Sequence, residues 1–156
     1  RPGTDQRNWT HRNQTPAVGL VATAPDEWSM YAAAHYGWAT NALQRLAIRP
    51  HGFASVRAGY HGGELITKSF TFTGSTLFLN YATSAVGSIN VEIQAPNGTP
   101  FEGFTARDMS PLFGDHLDAP ITWTPKRNLS HLNGQPIRLR FTLKDADLFS
   151  LHFGNE

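Results

Sequence analysis

From Ile89 onward, apolar and polar positions alternate through long stretches of the chain. Ile89, Val91 and Ile93 alternate with Asn90, Glu92 and Gln94. After a Pro96-Asn97-Gly98 turn and a long irregular stretch, Ile137, Leu139, Phe141 and Leu143 alternate with Arg138, Arg140, Thr142 and Lys144. A period of two with one apolar face is the mark of half-buried antiparallel strands. Asp145-Ala146-Asp147 then reads as a turn, and residues 148–153 (LFSLHF) as a closing strand. The same alternation points Glu92 outward, to solvent.

Upstream the pattern is shorter-ranged. Residues 18–24 end at Pro25-Asp26 and suit a strand. Residues 28–35 (WSMYAAAH) are ambiguous: Ala33 and Ala34 favour helix, but the run is short and bounded by turn signals, which favours a strand. Further strands are expected at 43–48, 53–58, 65–72, 77–82 and 121–124, with a helical turn over 129–132 and a long loop over 101–119. The result is about ten short strands at roughly eight- to twelve-residue spacing. The expected fold is all-β, an antiparallel β-sandwich of jelly-roll-like type. Residues 1–48 form N-terminal strands and 49–156 the sandwich module.

Composition narrows the function classes. A length of 156 residues with 40% hydrophobic and 16% charged positions suits a folded β domain and excludes disorder. The net charge of +1 gives no field that would draw the chain to nucleic acid or to an anionic membrane. No apolar run is long enough to span a bilayer. The opening RPGTDQRNW carries no apolar leader, and the chain reads as a piece of a longer protein. Cysteine is absent, which removes disulfides, thiolate metal sites and Cys nucleophiles.

Four stretches carry a family pattern: RPHGFASVRAGYHGGELITKSFTF, LFLNYATSAVGSINVEIQAPNGTPFEGF, RDMSPLFGDHLDAPITW and LNGQPIRLRFTLKDADLFSLHF. Their marks are Gly52-Phe53, Gly62-Gly63-Glu64, Val91-Glu92, Gly103-Phe104, Gly114-Asp115, Trp123 and Asp145-Ala146-Asp147-Leu148. Together, over about residues 49–153, they resemble the C-terminal β-sandwich that follows a five-bladed propeller in glycosidase-like proteins of the invertase, fructanase and arabinanase type. The segment before residue 49 resembles the last propeller strands or their linker. In that family the hydrolytic carboxylates lie in the propeller, so the resemblance implies an accessory module of a secreted, polysaccharide-degrading enzyme, not its catalyst.

Sugar recognition needs aromatic faces for the apolar side of a pyranose and planar hydrogen-bonding groups for its hydroxyls. His35, Tyr36 and Trp38, beside Gly37, form one candidate group, and Trp9, His11, Arg12 and Asn13 form a second. Trp28 and Tyr31 are read as core. A third group is Tyr60 and His61 with the 101–119 loop, where Arg107 and His116 suit an acidic or sulfated sugar. The bland reading of that loop is an ion pair from Arg107 to Asp108 or Asp115 that tethers it. Asp108, Asp115 and Glu64 offer oxygen ligands for a structural Ca2+. No other cofactor is expected.

The expected function is noncatalytic carbohydrate binding, with a polysaccharide ligand and the parent protein's catalytic domain as partners. Two alternatives stand beside it. One is a structural module that buttresses a glycoside hydrolase domain; the other is a weak standalone glycosidase. No nucleophile elbow, zinc-protease motif or phosphate loop is present. The expected location is secreted or extracytoplasmic.

Overall fold

The computed structural model describes residues 3–9 and 15–155. The chain divides into two units, Arg1–Pro50 and His51–Glu156. The described residues form two antiparallel sheets and two short 3-10 turns, so the fold is all-β, consistent with the expected β-sandwich class.

The first unit holds β1 (Thr15–Pro16), β2 (Val21–Ala24), β3 (Glu27–Ala34) and β4 (Ala42–Ile48). β3 is central: β1 and β2 pair with it, and β4 pairs with it along its whole length. The ambiguous WSMYAAAH stretch is therefore a strand. Partners on both edges override the helix preference of its alanines. Ser29, Ala32 and Ala34 of β3 are buried, while β2 and most of β4 are exposed.

The second unit holds β5 (Val56–Ala58), β6 (Gly63–Ile66), β7 (Thr76–Gln94), β8 (Asp115–Pro120) and β9 (Arg138–Gly154). The sheet order is β5-β9-β7-β8, with β6 also on β9. Where the alternation suggested four short strands, there are two long ones, of 19 and 17 residues, paired antiparallel with each other. Between Thr83 and Ser88 β7 gains a wide bulge opposite Asp145, whose φ is +43. Asp145-Ala146-Asp147 is thus a kink inside β9, not a turn. Gly87 makes the kink possible: a Cβ there would overlap the Asp145 carbonyl oxygen.

The remaining boundaries shift for local reasons. β6 ends at Ile66 because Thr67 leaves the regular ladder, its hydroxyl accepting from Leu139 N at 2.9 Å. Residues 121–124 are irregular, and the end of the expected 101–119 loop is β8. The helical turn is a 3-10 turn, Ser130–Leu132.

The core of this unit lies on one face of β7 and β9. Leu77, Leu79, Ile89, Val91, Ile93, Leu139, Phe141 and Leu143 are essentially fully buried. Connecting segments cover them with Phe72, Phe104, Met109, Trp123, Leu129 and Leu132. Trp123 meets Phe104 edge-on at 5.4 Å and donates its indole N–H to the Val91 carbonyl at 3.2 Å. The opposite face is less wet than its polar pattern suggested. Glu92 is only 7% exposed, which corrects the expectation of a solvated side chain. Gln94 Nε2 donates to its Oε1 at 2.5 Å, and Arg140 Nη1 lies 3.6 Å away. Arg140 also pairs with Glu64, and Arg138 Nε donates to Gln94 Oε1 at 2.7 Å. Pairing lets the sheet bury a carboxylate that would be costly alone.

Candidate functional site

One of two concave sites described in the second unit lies beside β8. Two reciprocal backbone bonds join Leu112 to Ile89, at 2.9 and 3.0 Å, and fix the incoming loop. Gly114, at φ +104, then reverses the chain; its carbonyl accepts from Thr83 N at 2.8 Å and its N–H donates to Thr83 Oγ1 at 3.0 Å. A side chain at 114 would crowd the His116 ring, so glycine suits both the backbone and the ring position. Phe113, between these anchors, is 72% exposed.

Around it opens a cleft of about 320 Å3, whose lining includes Tyr81, Ser110, Phe113, His116, Thr122 and Thr124. The His116 and Tyr81 rings lie 5.3 Å apart, tilted by 46°. Tyr81 donates its hydroxyl to the Phe113 carbonyl at 3.4 Å, and burial pushes its phenol above the ordinary value. The lining therefore combines apolar ring surface, hydroxyls and an imidazole, with no carboxylate or permanent cation.

A second cleft, of about 350 Å3, adjoins the start of β7 and is lined by Ser75, Thr76, Ile121, Thr122, Lys126, Arg127 and Asn128. Segment 121–129 is held at both ends: Ile121 N donates to Leu77 O and Leu129 N to Ser75 O, each at 2.8 Å. Buried Trp123 pins its middle.

Of the residues singled out from sequence, His116 lines the first cleft; Tyr60 and Arg107 line neither. Arg107 is exposed, and among the described residues no ion pair joins it to Asp108 or Asp115. Asp108 instead accepts from Thr105 N at 2.9 Å and Thr105 Oγ1 at 2.8 Å. Those bonds, with the charge of Arg127, hold its carboxyl below the ordinary value. Tyr60 is exposed, with Lys144 Nζ 4.7 Å from its ring centre. Glu64, Asp108 and Asp115 are not brought together as calcium ligands: among the described residues no three His, Cys, Asp or Glu form a metal-holding group.

In the first unit, His35 is a brace. Its Nδ1 lies 3.0 Å from Thr40 Oγ1, its Nε2 lies 3.0 Å from Asp5 Oδ2, and its backbone N–H donates to Asn8 Oδ1 at 2.9 Å. Asp5 is held well below the usual carboxylate range, first by hydrogen bonds from Arg7 and then by His35. Tyr36 lines a mainly apolar depression of about 450 Å3 with Pro16, Tyr31 and Leu43, which Trp38 does not line. Trp38 is 52% exposed in the β3–β4 connection, and Trp9 donates its indole N–H to Gly3 O at 2.7 Å. Arg12, with His11 and Asn13, lies outside the described residues.

Tyr81, Thr122 and Thr124 are the site residues that sequence reasoning missed, whereas Ser110 and Phe113 fall within the 101–119 loop it singled out. The local signal for Phe113 is a large aromatic directly before a loop glycine. Compared with family models, curated proteins and solved structures, the chain matches none.

Proposed function

We propose that this chain is a noncatalytic carbohydrate-binding module of a secreted or extracytoplasmic polysaccharide-degrading protein. The observation that carries the reading is the Phe113 cleft, an exposed aromatic beside hydroxyls and an imidazole. Its volume sits at the lower end of the range of small-molecule sites, roughly 300–1,000 Å3. A pyranose ring laid on Phe113 would bury its C–H face. Its hydroxyls would find Ser110, Thr122, Thr124 and His116. A single ring held this way binds weakly, and linkage to a catalytic domain on the same polymer raises the effective concentration. The motifs that resemble the propeller-associated sandwich support the same assignment.

Glycoside hydrolysis needs paired carboxyls about 5–10 Å apart, flanking the bond. Neither cleft has an Asp or Glu in its lining, which favours binding over catalysis. No described helix is long and apolar enough to cross a membrane.

Affinity electrophoresis against neutral, uronic-acid and sulfated polysaccharides tests the proposal. Retardation by at least one polymer, lost in Phe113→Ala, is expected. Retardation that survives Phe113→Ala would refute the site, and no retardation by any polymer would refute the function.

A second reading, a buttress for a catalytic domain, draws on the first unit. Val18, Val21, Trp38 and Leu43 are each more than half exposed there. Exposed apolar surface of that kind suits a partner domain. A chain that stays strictly monomeric in light scattering at high concentration would count against it.

A further inference from the structure

Thr122 lines both clefts of the second unit. The two clefts therefore share one lining residue, on a segment whose ends and middle are anchored. Their chemistry differs. The Phe113 side has aromatic and hydroxyl groups, while the far side has Lys126 and Arg127 beside Ser75, Thr76 and Asn128.

Arg127 is exposed and, among the described residues, makes no hydrogen bond or ion pair. Its guanidinium lies over Gly103, where any Cβ would collide with it. Its charge helps to hold down the Asp108 carboxyl, which is already engaged by Thr105. A guanidinium seated on glycine beside a lysine is suited to a planar anion.

Resting on the carbohydrate-binding reading, we infer that the two clefts form one bipartite groove for an anionic glycan. A sugar ring sits on Phe113, and a carboxylate or sulfate of an adjoining residue sits at Arg127 and Lys126. This moves the acidic-sugar contact from Arg107 to Arg127. The substrate class is then an acidic polysaccharide, although the chain as a whole is nearly neutral.

The test uses the full chain and two matched polymer pairs, measured by titration calorimetry. One pair is polygalacturonate and its carboxyl-reduced form; the other is dextran sulfate and dextran. One anionic polymer is expected to bind at least about tenfold tighter than its neutral counterpart, the preference that one good charge-assisted contact supplies. The pair that shows the preference names the anion as carboxylate or sulfate. Arg127→Gln should collapse that ratio toward one. Lys68→Gln, which removes an exposed cation outside both clefts, should leave the ratio intact. Circular dichroism checks that both variants are folded.

Equal binding within both pairs would overturn the inference while leaving the carbohydrate reading in place. So would an unchanged ratio in folded Arg127→Gln, or a ratio that Lys68→Gln lowers equally. Absence of binding to all four polymers would overturn both.

Discussion

Trp123→Phe tests whether one buried side chain supports the wall between the clefts. Trp123 is 1% exposed, donates to the Val91 carbonyl at 3.2 Å, and packs edge-on against Phe104 at 5.4 Å. Phenylalanine keeps an aromatic ring but loses the donor. The hydrogen bond is worth about 1 kcal/mol. The smaller ring leaves a void of about 40 Å3, which costs about 1 kcal/mol at ~24 cal/mol per Å3. Weakening of the ring–ring contact adds about 0.5 kcal/mol. The expected loss is therefore about 2–3 kcal/mol, equivalent to roughly 8–12 °C in Tm for a unit of about 100 residues. Differential scanning calorimetry and urea unfolding followed by far-ultraviolet circular dichroism measure it. The exposed Phe113→Ala variant should shift stability by less than about 0.5 kcal/mol. A Tm change below about 2 °C in Trp123→Phe would show that the indole does not anchor segment 121–129.

Three further outcomes follow from the same geometry. Glu92→Ala should cost about 2–3 kcal/mol in urea unfolding, because it leaves Gln94 without its buried acceptor and removes one of Arg140's two carboxylate partners, whereas Glu64→Ala, at the exposed end of the network, should cost less than about 1 kcal/mol; equal losses would refute the network's inward anchor. The depressed Asp108 carboxyl contributes stability that is fully present above its unfolded value of about 3.9 and is lost as pH falls through the folded value, so Asp108→Asn should flatten the acid limb of a Tm-versus-pH profile, and an unchanged limb would show no linkage. Gly87→Ala must displace backbone at the β7 bulge and should lower Tm clearly, while Gly59→Ala, with open space at its Cβ position, should be nearly neutral.

The regular part of the fold was legible because one face of β7 and β9 is apolar at every second position. The continuity of those strands was not. Asp145 and Gly87 look like turn residues to local chemistry, and only the partner strand shows that they accommodate a bulge. Glu92 was misread for a related reason: period two tells which face a residue takes, not whether Gln94 and Arg140 enclose it there. His116 was found because it stands in a long loop. Phe113 stood beside it, but its display depends on tertiary bonds from Leu112 to Ile89 and from Gly114 to Thr83. Sequence singles out Arg107 because it shares the loop with His116, and carries no signal that marks Arg127. The Arg127 cleft is formed by the start of β7 and segment 121–129, which are distant in sequence.

β5, β6 and β7 all pair with β9, and only β8 attaches elsewhere, to β7. The strand that joins most of this sheet follows all its partners in the chain. As the polypeptide emerges from a ribosome, β5, β6 and one edge of β7 therefore wait unpaired until 138–154 arrive, while β7 and β8 can pair earlier, and the long-range closure onto β9 comes late. Expression of this protein is accordingly most exposed to aggregation in that interval, and a chain truncated before β9 would keep only the β7–β8 pair of this sheet.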